Sequence, residues 1–171
     1  ILDKFTELEA ELEAELEAEL EARKMQREYL SRVVQSGNHP DLQGAPLLSL
    51  EEIAMFENGK AHESFVDPEG DCELITSKFI STDGNQARRI MRSSVRTPAH
   101  TDDIVMVLSD LPNGRALGKC YLVKENDKFA VNQRIALLRV KDKDFVHPEY
   151  LYHYLNRNPQ ILSFDNGSTQ T

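Results

Sequence analysis

Cysteine is scarce in this sequence. Cys72 and Cys120 stand far apart, with no CxxC and no histidine at ligand spacing. Neither a disulfide framework nor a zinc site is expected, and a reducing cytoplasm is the default setting. No apolar run reaches the roughly 18–20 residues of a membrane span, and the N-terminal segment is acidic where a signal peptide is basic. A soluble, cytoplasmic protein without membrane contact is therefore expected.

Catalytic signatures are missing too. No Asp or Glu stands two residues before any lysine, which removes the ExK or DxK half of a common nuclease core. Asn158-Pro159 is followed by Gln160, so the Asn-Pro-Pro-Tyr signature of an adenine methyltransferase is not completed. There is no phosphate-cradling glycine-rich loop, no HExxH and no GxSxG. The histidines at 39, 62, 100, 147 and 153 are scattered singly and read as surface or packed residues. No catalytic residue, metal ligand or cofactor is assigned to this chain on these grounds.

The formal charge of −9 and pI near 5.1 argue against a nucleic-acid partner only if the charge is averaged along the chain. It is segregated instead. Residues 1–34 hold ten acids against five bases, whereas residues 77–101 carry Lys78, Arg88, Arg89, Arg92 and Arg96 against Asp83 alone.

Within the acidic segment, Glu-Leu-Glu-Ala repeats four times over residues 7–22, and neither Gly nor Pro occurs before Gly37. Every residue of the repeat favours a helix. A step of four residues advances only about 40°, so Leu8, Leu12, Leu16 and Leu20 form a slowly winding stripe that Leu2 and Phe5 extend backwards. Bases follow acids at helical spacing, as in Glu19 and Arg23. The pattern predicts a helix over 1–34, a rod of about 50 Å. Its leucine stripe cannot be buried on itself and calls for a second helix, so a coiled coil with self-association is expected.

Gly37, Pro40, Gly44 and Pro46 mark residues 35–46 as a helix stop and linker. From residue 47 the texture changes. Short β-compatible runs at 72–76, 104–108, 119–123 and 134–140 are separated by turn signals such as Asp67-Pro68, Asp83-Gly84 and Pro112-Asn113-Gly114. Helical patterning returns at 148–157, where Pro148 suits a first turn and Tyr150, Leu151, Tyr154 and Leu155 share a face. The fold class expected is α+β: a long coiled-coil helix followed by a mixed α/β domain over 47–171.

The basic stretch has two readings. Arginine and lysine neutralise phosphates, and arginine can reach both major-groove acceptors of guanine. A surface loop that balances an acidic chain would look the same. Asn113-Gly114-Arg115 and Asn132-Gln133-Arg134 add planar polar side chains suited to base edges, although turn chemistry also accounts for Asn113-Gly114.

Taken in order, these segments resemble the specificity subunit of type I restriction-modification systems over nearly the whole chain. Residues 1–8, Ile-Leu-Asp-Lys-Phe-Thr-Glu-Leu, with the acidic repeat and the Arg23 to Tyr29 stretch, are similar to that family's central conserved region. Leu50-Glu51-Glu52-Ile53, Asn58-Gly59-Lys60-Ala61-His62-Glu63, Ser77-Lys78-Phe79-Ile80, Pro112 to Leu117, Asn132-Gln133-Arg134-Ile135 and Pro148-Glu149-Tyr150-Leu151 resemble a target-recognition domain. Two departures stand out: one recognition domain and one spacer helix where the family has two of each, and an end at Gln170-Thr171 where the family continues into a second conserved helix. A fragment or a half-subunit, pairing through its arm with another copy, is expected. A smaller departure is Asp102-Asp103-Ile104, where the family pattern calls for Gly-Asp-Ile.

The resemblance implies a non-catalytic reader of double-stranded DNA. It implies docking to methyltransferase subunits that bring S-adenosylmethionine and flip the target adenine, and joining to a translocating endonuclease subunit for restriction. Lys60, His62, Ser77, Lys78, Arg88, Arg89, Arg92, Arg96, Asn113, Arg115, Gln133 and Arg134 are the expected DNA-contacting residues. A coiled-coil adaptor with a protein-binding globular head is the alternative; it explains the acidic arm but leaves the arginines unassigned.

Overall fold

A computed structural model describes residues 2–36, 44, 46–110 and 115–163, the side chains of Leu2, Asp3 and Glu7 excepted. The chain divides into two compact units, Ile1–Ala45 and Pro46–Thr171.

The first unit is one helix, α1 (Leu2–Ser36). Glu19 receives two bonds from the Arg23 guanidinium, at 2.9 and 2.6 Å, and Arg32 lies 3.7 Å from Glu28. Each such exposed pair stabilises a helix by only about 0.3–0.5 kcal/mol. Leu8, Leu12, Leu16 and Leu20 are each more than half exposed in this chain, as is Phe5. The helix thus carries an apolar stripe that its own residues leave open.

The second unit is α+β. Its elements in order are α2 (Leu50–Ile53), β1 (Ala54–Asn58), β2 (Cys72–Ile75), α3 (Ser77–Ser81), β3 (Arg88–Ile90), β4 (Pro98–Ala99), β5 (Ile104–Val107), β6 (Cys120–Leu122), β7 (Phe129–Val131), β8 (Ile135–Val140), α4 (Pro148–Leu155) and α5 (Pro159–Leu162), with single 3-10 turns at Glu63–Phe65 and Arg92–Ser94. The strands form two four-stranded sheets, ordered β1-β8-β5-β6 and β3-β2-β7-β4. All pairings in the first sheet are antiparallel. In the second, β2 and β7 run parallel.

A continuous apolar cluster draws Val105, Val107, Ile135 and Leu137 from the first sheet and Ile75, Phe129 and Val131 from the second, with Phe79 and Ile80 of α3. Phe79 meets Tyr121 and Phe129 edge to face, at ring distances of 5.0 and 5.7 Å. Alternation sends Ile104, Met106, Ala136 and Leu138 to the opposite face of the first sheet, where Leu151 and Leu155 of α4 cover them. Because both faces are buried, β5 and most of β8 read as unbroken apolar runs rather than alternating ones.

All four expected β-compatible runs contain strands, β2, β5, β6 and β8. The helix from Pro148 ends at Leu155, short of the expected 157, because Asn156 turns extended at ψ 106° and Arg157 follows with a positive φ of 55°. Four further strands, β1, β3, β4 and β7, lie where the sequence pattern marks none, and β3 falls inside the basic stretch that reads as a loop.

Candidate nucleic-acid interface

The two parallel strands place the site. β2 and β7 lie side by side and end together, at Ile75 and Val131, and the carbonyl of Ile75 accepts the Asn132 amide at 3.1 Å. Clefts outside the carboxyl ends of parallel strands are common binding sites in α/β sheets. After β2, the hydroxyl of Thr76 accepts the Phe79 amide at 3.2 Å and caps α3. Buried Phe79 and Ile80 pin that turn, which leaves half-buried Ser77 and exposed Lys78 at the rim. After β7, Arg134 adopts φ 70°, a conformation disfavoured for a side-chain-bearing residue. Its carbonyl accepts the Leu108 amide at 2.9 Å, which ties the turn to the end of β5.

A third segment meets this turn. The Gly59 amide donates to the Ile135 carbonyl at 2.9 Å and the Lys60 amide to Val131 at 3.2 Å. A Cβ on Gly59 would stand 2.0 Å from the Asn132 carbonyl oxygen, so only glycine permits this approach. Behind it, the Asn132 side chain is buried and bonded at both ends: Oδ1 accepts the His62 amide at 3.1 Å and Nδ2 donates to Glu63 Oε1 at 2.5 Å. His62 Nε2 in turn accepts the Arg96 amide at 3.0 Å.

The result is a cleft of about 430 Å³ between these segments. Lys78, Arg88 and Arg134 supply positive charge, and Ser77, Gln86 and Gln133 supply neutral polar groups; Glu63 and Asp110 are the acids. Among the described residues, none of these three cations is held in an ion pair, whereas both acids are engaged. Asp110 accepts the Ala116 amide at 2.8 Å, and Glu63 holds Asn132 and, at 3.4 Å, Gln133 Nε2. Partial burial works to raise the Glu63 pKa. The bonds from Asn132, from the backbone amides of Glu63 and His62, and from Gln133 outweigh it and hold the carboxyl below its usual range.

Of the expected contact residues, Ser77, Lys78, Arg88, Gln133 and Arg134 line this cleft. Lys60 is exposed and bridges backbone to backbone with Asn132 beside it. Arg115 is exposed, and its carbonyl accepts the Arg157 side chain at 2.8 Å. Asn113, and with it the turn at Gly114, lies outside the described residues, as does the side chain of Leu2.

The four arginines do not form one cluster. β3 alternates, so Arg88 and Arg89 project from opposite faces of the sheet and only Arg88 reaches the cleft. Arg92 is bound to Asp71, with Nε to Oδ2 at 3.2 Å, and lies 3.9 Å from Asp127. Arg96 rests its guanidinium 4.8 Å over the Phe65 ring.

His62 is a correction: expected among the DNA contacts, it is fully buried and cannot meet a ligand there. It braces the cleft wall instead. Burial, aided by the charge of Arg96, lowers its pKa against the opposing pull of the Lys60 backbone and Glu63.

Glu63, Thr76, Gln86, Ser109, Asp110, Asn132 and Ile135 also line the cleft and are absent from the expected contacts. A search for bases passes over acids. The only sequence signal for Glu63 is its place next to His62 in the 58–63 segment. Elsewhere, both cysteines are free and buried, and burial pushes the Cys120 thiol up to about 12, so it stays protonated at neutral pH. Among the described residues, no group of three or more His, Cys, Asp or Glu is arranged to hold a metal ion, and no helix is long and apolar enough to cross a membrane.

No family model and no curated protein matches this sequence. Solved structures do match. The type I restriction-modification S subunit from M. genitalium aligns with 89% of this chain and 40% of its own length, with a TM-score of 0.59 at 16% identity. The HsdS subunit from Thermoanaerobacter tengcongensis aligns over the same shares, with a TM-score of 0.53 at 21% identity. A chain from a structure of complex assembly and conformational transition in the type I system gives 0.52 at 21% identity, again over 89% and 40%. The chain thus shares the fold of these subunits and spans about two fifths of their length.

Proposed function

We propose that this chain is the DNA-reading portion of a type I restriction-modification specificity subunit, recognising one half of a bipartite target and docking methyltransferase subunits. The observation that carries the reading is the cleft at the ends of β2 and β7, on a fold shared with such subunits. There, among the described residues, Lys78, Arg88 and Arg134 stand outside any ion pair beside Gln86 and Gln133.

The chemistry fits duplex DNA. Cations set on a rigid wall neutralise phosphates and release counterions, which fixes register without reading sequence. Arginine matches the two major-groove acceptors of guanine, and glutamine pairs with adenine through donor and acceptor together. Anchoring Asn132, Gln133 and Arg134 between β7 and β8 keeps these groups from swinging with a loose loop.

In this reading the chain performs no chemistry itself. A methyltransferase subunit supplies S-adenosylmethionine and the pocket for a flipped adenine, and an endonuclease subunit joins for restriction. The exposed leucine stripe of α1 pairs with a second helix, from another copy or from a companion segment.

Fluorescence anisotropy of the full chain with random duplex DNA at two salt concentrations tests the reading. Salt-sensitive binding is expected. A protein-binding adaptor would show none.

A further inference from the structure

We infer that Glu63 is a specificity-determining residue, its carboxylate accepting a hydrogen bond from the exocyclic amino group of an adenine or cytosine in the major groove and rejecting keto-bearing bases at that position. The inference rests on the cleft being a DNA interface, and it concerns what the cleft selects rather than whether it binds.

An ionised carboxylate opposes the approach of a phosphate backbone. In a cleft whose other task is to attract phosphates, Glu63 is therefore a cost unless the ligand brings N–H donors to it. Its surroundings do not neutralise it. Among the described residues no cation pairs with it, and its partners are neutral: the side-chain amides of Asn132 and Gln133 and the backbone amides of Glu63 and His62.

Those partners fix its geometry. Asn132 is buried and cannot turn, because its other end holds the His62 amide, so Glu63 Oε1 is pinned at 2.5 Å. The side-chain bond to Oε2, from Gln133, is long at 3.4 Å, and a carboxylate oxygen with two lone pairs keeps capacity for a better donor. On the major-groove edge the amino donors are N4 of cytosine and N6 of adenine, while guanine O6 and thymine O4 are acceptors. A carboxylate carries acceptors alone, so a keto group in the same place meets oxygen against oxygen. Arg134, two positions after Asn132, stands at the same cleft and suits a neighbouring guanine.

The test is selection from a random duplex library by the full chain, wild type against Glu63→Gln and Glu63→Asp, with thermal unfolding run on each. Wild type should enrich sites with one position held to adenine or cytosine. Glutamine offers both donor and acceptor at nearly the same size, so Glu63→Gln should admit thymine or guanine at that position alone, with discrimination falling on the order of ten- to a hundred-fold. Aspartate draws the charge back by a methylene and should weaken enrichment of adenine or cytosine at that position while keto bases stay disfavoured. Relaxation at one position, with the remaining positions unchanged and folding intact, supports the inference. An unchanged preference, or uniform weakening at all positions, overturns it while leaving DNA recognition standing. If wild type enriches nothing and shows no salt-sensitive binding, the DNA interface itself fails and the inference falls with it.

Discussion

The carboxylate of Asp103 grips the guanidinium of Arg139 through two bonds, at 2.7 and 2.6 Å, and its side chain is only 2% exposed. Asp103 also accepts the His100 amide at 2.7 Å, closing the turn that leads into β5. Arg139 projects from β8, the central partner of β1 and β5, so the pair locks the sheet that backs the cleft.

Removing one partner of such a pair leaves a charge without compensation in a poorly solvated place. Arg139 is 37% exposed, so water softens the loss. Arg139→Ala should lower stability by about 2–4 kcal/mol in urea unfolding. A loss below about 0.5 kcal/mol would show that the pair is ornamental.

The long elements are legible in the sequence because their patterns are redundant. Four copies of one tetrapeptide specify α1, and apolar runs, unbroken in β5 and interrupted only by Arg139 in β8, specify those strands. The short strands are not. Arg88-Arg89-Ile90 pairs with β2 through backbone bonds that composition does not encode, and only Ile90 turns inward. The turn before β5 shows the reverse case. Asp102 stands where the resembled pattern has glycine, and it takes the positive φ, 72°, that glycine adopts freely; Lys143 holds its carboxylate at 2.6 Å.

The cleft is half visible in the sequence for a similar reason. Ser77, Lys78, Arg88, Gln133 and Arg134 have the chemistry of a DNA contact, and residue type alone singles them out. The density of arginine around 88–96 is a poor guide, since strand alternation and Asp71 send those side chains to different surroundings. Glu63 depends on Asn132, 69 positions away, a contact that only the fold creates.

His62 gives the protein a pH signature. Its Nε2 accepts the Arg96 amide, so protonation there would set donor against donor, and burial already lowers its pKa below 6.5. The unfolded chain then binds the proton more readily than the folded one. Stability should be full above about pH 6.5 and fall as pH drops below it, with a limiting slope near 1.4 kcal/mol per pH unit. Thermal unfolding at pH 7.5 and 5.5 should show a drop in wild type that shrinks in His62→Gln, which keeps an acceptor for Arg96. Equal drops in both proteins would place the titration elsewhere.

The repeat in α1 predicts a change of spacing. Deleting one Glu-Leu-Glu-Ala unit shortens the helix by about 6 Å and turns the downstream residues by about 40°. If α1 spaces two recognition elements, the gap between half-sites should shrink by one or two base pairs, since bases are about 3.4 Å apart along a strand. The half-sites should not change, because no residue of the cleft lies in α1. Variants with three and five units, assembled with a methyltransferase subunit, can be read by sequencing the methylated sites. A constant gap across the series would make the helix a stalk.

The salt dependence of DNA binding tests the cleft most directly. Each phosphate contact contributes about 0.9 to the slope of log affinity against log salt. Replacing Lys78, Arg88 and Arg134 together by alanine should weaken binding and lower that slope by as much as about three units. Arg92→Ala serves as the control, because Arg92 is committed to Asp71 and lies outside the cleft lining, and it should leave the slope within about half a unit of wild type. A triple variant that keeps the affinity and slope of the wild-type chain would contradict the assignment of this cleft to DNA.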